Sequence, residues 1–266
     1  MKNLPHLPKK VKLLLELEYP LINKLLPRKG FIGGRIGYAK PLIFKWLLVK
    51  KVTNWAYRTL TELSGISHQT FVRRNQDFLN HQVYQQFFQN IVKQAVCMGF
   101  IRGEKVAIDS SFVPTYSTKR EIGSEGWNGF KDAFGFKLHA LIDVQTRFPI
   151  ALIITNGLAA DCTLAIPLLK KAKRYLKKKG YVLADKGYDD TDIVNWIVKM
   201  LQSKAGIPMR KKSKLAKGKK NRYGNLLNWR TKASGRTFKK SIYNLRTEVE
   251  RFFSQIKHTY YLGKEY

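Results

Sequence analysis

Acidic residues are scarce in this sequence: eighteen Asp and Glu stand against fifty Lys and Arg among 266 residues. The resulting formal charge of +32, with a pI near 10.2, describes a surface that repels itself and attracts polyanions, nucleic acid first among them. Cysteine is nearly absent. Cys97 and Cys162 lie far apart without zinc-type spacing, which excludes a disulfide framework and predicts two reduced core residues. Long apolar runs are missing as well. The most hydrophobic segment, Pro41 to Val52, is short and carries Lys45, Lys50 and Lys51, so it suits a core helix and not a membrane span. Near the N-terminus KKVKLLLELEYP places basic residues before an apolar run, but Glu16 and Glu18 interrupt it and no small-residue cleavage site follows. The expected compartment is therefore the cytoplasm, with no membrane partner. A Gly-x4-Gly-Lys-Ser/Thr loop is also lacking, which argues against ATP-driven chemistry.

What is present divides into two textures. Residues 1–103 read as a small all-α domain. TNWAYRTLTELSGISHQTFVRRNQDFL predicts a helix to about Leu63, a turn through Ser64, Gly65 and Ile66, and a second helix with Ser67 as its N-cap. This is the pattern of a helix-turn-helix at about 54–79, with Gln69, Arg73 and Arg74 exposed as candidate base and phosphate contacts. Any three-helix bundle can contain such a turn. A further helix, Tyr84 to Met98, closes the domain.

Residues 104–266 alternate strands with helices. KVAIDSS predicts a strand ending on Asp109, and FGFKLHALIDVQTRFPIALIITN two strands around a turn at Val144 to Arg147. Asp161 is placed to cap a helix running to about Lys179. YVLAD gives a fourth strand ending on Asp185, followed by a helix from about Thr191 to Leu201 and a fifth strand near Gly206 to Met209. That order is the order of an α/β ribonuclease H-like fold, a mixed five-stranded sheet with helices. The stretch at about 210–240 holds thirteen Lys or Arg and no acid, as a flexible basic loop or a phosphate-tracking arm would.

With acids so few, those at strand ends can be weighed one by one. Asp109 and Asp185 each follow an apolar, β-branched run where the chain leaves the sheet. If the first and fourth strands are neighbours and the last helix crosses that edge, Glu250 joins them. Three mutually close carboxylates raise one another's pKa unless a cation neutralises them, and two Mg²⁺ ions are the usual solution, with Mn²⁺ as a substitute. Taken singly, each has a bland reading: a turn residue, the opening of the KGYDD turn, a surface charge. His139 and Asp143 share a strand face; a satisfied core side chain is the default for such a His, and support of the site from behind is the alternative.

The C-terminal helix carries the most specific pattern. Ile242, Leu245, Val249, Phe252 and Ile256 form an apolar stripe, and Tyr243, Arg246, Glu250 and Lys257 form a polar one beside it. Tyr-x2-Arg-x3-Glu-x6-Lys resembles the signature of DDE transposases of the insertion-sequence four and five group. AIDSS, GFKLHALID, TNGLAAD and ADKGYDD occur in that family's order. The resemblance implies Asp109, Asp185 and Glu250 as the metal-binding catalytic triad, and Tyr243, Arg246 and Lys257 as contacts to transposon-end DNA, with Lys186 a further candidate. It implies cleavage and strand transfer at the terminal inverted repeats of double-stranded DNA, a homodimer on DNA, and a prokaryotic, nucleoid-associated protein. The interval from Asp185 to Glu250 leaves no room for the large all-β insertion of some relatives. Two rivals stay open: a truncated or inactive transposase that only binds DNA, and a ribonuclease H-like nuclease that cuts without joining.

Overall fold

The structure, a computed structural model, describes residues 19–26, 37–115, 127–128, 132–208 and 240–259. The basic stretch 210–239 and the residues after 259 lie outside them. Two compact units divide the chain, Met1–Gln94 and Ala95–Tyr266.

Helices make up the described part of the first unit: α1 (Tyr19–Leu25), α2 (Lys40–Thr53), α3 (Tyr57–Ser64), α4 (His68–Asn80) and the start of α5 (Val83–Cys97). Pro41 opens α2, where its missing N–H costs nothing. Phe44 from α2 is fully buried and meets Phe78 and Phe87 edge-on at centroid distances of 5.4 and 5.2 Å. Leu47, Leu60, Ile66 and Phe71 complete this core. The α3–α4 turn forms as expected from the sequence. Gly65, at φ +72°, ends α3 with its N–H on Thr61 O, and the Ser67 hydroxyl accepts the Thr70 N–H at the start of α4.

The second unit is built on a five-stranded mixed sheet in the order β3-β2-β1-β4-β5. Its strands are β1 (Lys105–Pro114), β2 (Gly135–Asp143), β3 (Pro149–Asn156), β4 (Tyr181–Leu183) and β5 (Lys204–Gly206). β1, β2 and β3 form an antiparallel meander, and β4 and β5 add in parallel to β1. Between the strands come α6 (Asp161–Ala172) and α7 (Thr191–Met200). The last described elements are α8 (Lys240–Tyr243) and α9 (Thr247–Thr259). Alternation along the strands sends Ala107, Leu138, Ala140 and Ile142 to one face, where Val249, Phe252 and Phe253 of α9 cover them. Among the described residues no helix is long and apolar enough to cross a membrane.

Several boundaries differ from the sequence reading, each for a tertiary reason. β1 does not end on Asp109 but continues to Pro114, because β2 pairs with it along its whole length. The fifth strand lies earlier, at Lys204–Gly206, in register with β4. α6 ends at Ala172, followed by a 3₁₀ turn at Lys173–Tyr175. The C-terminal helix is not continuous: a 3₁₀ turn at Asn244–Arg246 separates α8 from α9, while Ile242, Leu245, Val249, Phe252 and Ile256 still pack against the sheet. Neither cysteine is a core residue, since Cys97 is exposed and Cys162 half-buried, although both are free thiols.

Candidate active site

The register of β1 and β4 brings the first two carboxylates together. Their parallel pairing stops at Ala107 opposite Leu183. Asp109 and Asp185 each follow two residues later, so both stand at the level where the two chains part. Asp185 is the N-cap of a 3₁₀ turn at Lys186–Tyr188, and its Oδ1 accepts the Gly187 N–H at 2.6 Å. Asp109 Oδ1 accepts the Ser110 N–H at 2.8 Å. One oxygen of each acid is thereby fixed by backbone, which orients the other.

Glu250 arrives on α9, which packs on the same sheet face as Asp109. Between them lies Arg246, one helical turn before Glu250. Its Nη2 is 2.6 Å from Glu250 Oε1 and its Nη1 is 3.7 Å from Asp109 Oδ2. Burial lifts the Asp109 pKa from its ordinary 3.8 to about 6; the Ser110 N–H and the Arg246 charge oppose the rise, and the charges of Asp185 and Glu250 add to it. Asp109 therefore feels both other acids, and the three expected catalytic carboxylates share one electrostatic neighbourhood. Pairing with Glu250 and the nearby Asp109 and Tyr243 hold the Arg246 guanidinium in its charged form against partial burial.

Three carboxylates are the donor set that a hard divalent cation prefers, so the residues fit such an ion in kind. In the arrangement present, however, the positive charge between Asp109 and Glu250 is that of Arg246. Among the described residues no group of three His, Cys, Asp or Glu is close enough to hold a metal ion.

The other expected residues fall as follows. Lys257 Nζ donates to Phe112 O at 2.8 Å, tying the last turn of α9 to β1 three residues past Asp109. The Arg246 guanidinium stands 6.0 Å from the centre of the Tyr243 ring. Lys186 is exposed beside Asp185. In the first unit, Gln69 and Arg73 are exposed on α4 one turn apart, whereas Arg74 is partly buried and paired with Asp77 at 3.0 Å.

A polar cluster on the opposite sheet face gathers His139 and Asp161, which the sequence singles out, with Ser110, Lys137 and Thr155, which it does not. Ser110 and His139 are directly opposed in the β1–β2 ladder and point away from α9. There the Ser110 hydroxyl donates to Asp161 Oδ1 at 2.5 Å, and Lys137 Nζ pairs with the same oxygen at 3.1 Å. Asp161 is thus not the helix cap expected. Ala160 takes that position, and the carboxylate serves the sheet instead. His139 is fully buried, with Nε2 on the Thr155 hydroxyl at 2.9 Å and Nδ1 3.7 Å from Asp161, and burial depresses its pKa. Asp143, by contrast, is remote from this cluster: it accepts the Gly103 N–H and both the N–H and hydroxyl of Thr146, fixing the hairpin turn. Behind the site, burial and then the charges of Asp161, Asp109 and Asp185 push the Tyr188 phenol up. A pairing of Ser110 in AIDSS with Asp161 in TNGLAAD is the one signal that could have joined these segments.

A mixed sheet in this order, with acids on β1, just past β4 and on a helix that covers it, resembles the carboxylate domains of ribonuclease H-like folds. A family model described as the transposase DDE domain matches residues 102–265, and the chain belongs to that family. Among solved structures it is similar to a piggyBac transposase synaptic complex with hairpin DNA, at 12% identity and a TM-score of 0.40. That match covers 78% of this chain and 49% of the other, so the chain spans about half the length of that transposase. It is also similar to a Mos1 transposase paired-end complex with left transposon end, at 11% identity and a TM-score of 0.28, covering 89% and 83% of the two chains. A Mos1 mariner paired-end complex with Mn gives 11% identity and a TM-score of 0.27, covering 96% and 89%. No curated protein matches the sequence.

Proposed function

We propose that this protein is a transposase of the insertion-sequence four and five group, which cleaves the ends of its element and joins them to target DNA. The observation that supports the reading is that Asp109 feels the charges of both Asp185 and Glu250, with Arg246 between Asp109 and Glu250. Asp109, Asp185 and Glu250 would hold two Mg²⁺ ions, or Mn²⁺ in their place. When bound, such ions lower the pKa of water and neutralise charge on the transferring phosphoryl group.

The protein's own groups act around that chemistry. Backbone N–H groups of Ser110 and Gly187 fix Asp109 and Asp185 in orientation before substrate arrives, so little reorganisation is needed. Arg246 leaves the carboxylates for a DNA phosphate, a partner it can grip bidentately. Tyr243, Lys257 and Lys186 serve as further phosphate contacts. The Gly65 turn and α4 act as a helix-turn-helix, with Gln69 and Arg73 as base readers and Arg74 held back by Asp77. DNA of the terminal inverted repeats and of the target is the partner, and two subunits synapse two ends. In a prokaryotic cell the protein is nucleoid-bound. Six to ten phosphate contacts would weaken binding on the order of 10³ to 10⁵ between 50 and 200 mM salt.

Incubation with Mg²⁺ and a fragment bearing the element's terminal repeats tests the reading. Joined products are expected, and Glu250→Gln should abolish them while sparing the gel shift. Cut ends without joining would make the protein a nuclease; a shift alone would make it a DNA binder.

A further inference from the structure

Asp109 and Asp185 stand just past the last mutually paired residues of β1 and β4; at the amino ends of the same strands the sign of charge reverses. Seven of the ten residues from Lys170 to Lys179 are Lys or Arg, none is acidic, and all seven are exposed. They form the end of α6 and the turn leading into β4. Register extends the patch across the sheet. Because β1, β4 and β5 run parallel, Lys105, Tyr181 and Lys204 are aligned neighbours at one edge. Lys105 and Lys204 are exposed on either side of Tyr181, and the Lys204 ammonium lies 5.4 Å from the centre of its ring. Glu104, an acid at this edge, is already paired with Lys177 at 2.9 Å. A concavity of about 270 Å³ lies here, lined by Lys105, Lys177, Lys178, Lys179 and Tyr181.

We infer that this edge is a second DNA-binding surface, which grips the sugar-phosphate backbone of a duplex without reading its bases. Lysines clustered around an open concavity suit phosphates presented at intervals along a groove, and they offer no planar fork for base edges. Four residues of extended strand separate Lys105 from Asp109, roughly 13 Å at about 3.3 Å per residue. At about 3.4 Å per base pair along one strand, that is roughly four base pairs. A duplex engaged at the carboxylates therefore reaches this edge only if it continues beyond the cleavage position. The surface adds affinity for long DNA and little for short DNA. This inference rests on the proposed DNA substrate.

The test uses the full chain carrying Lys105→Gln, Lys178→Gln and Lys204→Gln together, which leaves the Lys177–Glu104 pair intact. Binding is measured against salt on two terminal-repeat duplexes, a long one that continues about one helical turn, near 10 base pairs, past the cleavage position and a short one that stops at it. On the long duplex the slope of log K against log salt should fall by roughly 2 to 3, at about 0.9 for each phosphate no longer neutralised. On the short duplex the two proteins should match. Equal slopes on the long duplex, with an unchanged thermal melt, would overturn the inference. So would single-stranded RNA displacing long DNA from the wild type but not from the variant. Wild-type protein that binds no DNA at all would instead sink the transposase reading itself.

Discussion

Replacing Asp109 by Asn should stabilise the protein in the presence of a metal chelator, although it removes a proposed catalytic group. The Asp109 carboxyl titrates near 6 in the folded chain against 3.8 ordinarily, chiefly because it is buried. A raised pKa means that the folded state prefers the neutral acid. The favourable contribution is complete below about pH 3.8 and is lost as pH rises through 6. A displacement of about two pH units corresponds to about 3 kcal/mol at 1.36 kcal/mol per unit. Asn is neutral throughout and escapes the loss. The stability difference between variant and wild type should therefore grow from near zero at pH 4 to about 3 kcal/mol at pH 8, with most of the change between pH 4 and 6.5. Urea denaturation in EDTA across that range, followed on the transition of the sheet-containing unit, measures it, and groups common to both proteins cancel. Mg²⁺ should reverse the order at pH 8, adding about 4.1 kcal/mol to the wild type at a thousandfold excess over its Kd. A difference that does not vary with pH, or a variant less stable than wild type at pH 8 in EDTA, would refute the placement of a desolvated carboxylate at this point.

Three further outcomes are expected. Arg246→Gln removes the charge that holds the Asp109 pKa down, so in the same experiment the wild-type-like loss of stability should extend to higher pH. Asp161→Asn weakens the acceptor shared by Ser110 and Lys137 and should cost about 1 to 3 kcal/mol, read as a lower midpoint in urea. Gln69→Ala with Arg73→Ala should leave the thermal melt unchanged, since both side chains are exposed, and lower affinity for the terminal repeat by about 1 to 3 kcal/mol for each base no longer read, without altering binding to unrelated DNA. Equal losses on both DNAs would make these residues phosphate contacts.

The parts of the fold legible in the sequence are those set by local chemistry. Gly65 and Ser67 announce a helix end and a helix start, and the structure uses both in that way. The apolar stripe from Ile242 to Ile256 names the sheet-facing side of the last helix even though a 3₁₀ turn interrupts its backbone. What stays hidden depends on strand register, which no local signal fixes. The sequence AIDSS suggests a strand ending at Asp109. In fact β1 loses its β4 partner after Ala107 yet keeps β2 to Pro114, so Asp109 is held rigidly within a paired strand while one side of it lies open. That combination gives a carboxylate both a fixed backbone and access to ligand, which a loop residue would lack.

The same register explains why Asp161 is not the cap that its place in the sequence suggests. Consecutive strand residues point to opposite faces, so Asp109 faces α9 while Ser110 faces α6. Asp161 therefore meets β1 through Ser110, from behind the sheet, and the Ser110 N–H in turn holds Asp109 Oδ1 on the front. One residue thus ties a half-buried polar cluster, with His139, Lys137 and Thr155, to the carboxylate across the sheet. Asp161→Asn should accordingly be felt at Asp109 as well as in stability: loosening Ser110 weakens the N–H contact that holds the Asp109 pKa down, so that pKa should rise further. Carbon-detected NMR titration of the Asp109 carboxyl in EDTA reads this directly. An unchanged midpoint in a folded Asp161→Asn protein would show that the two faces are mechanically independent.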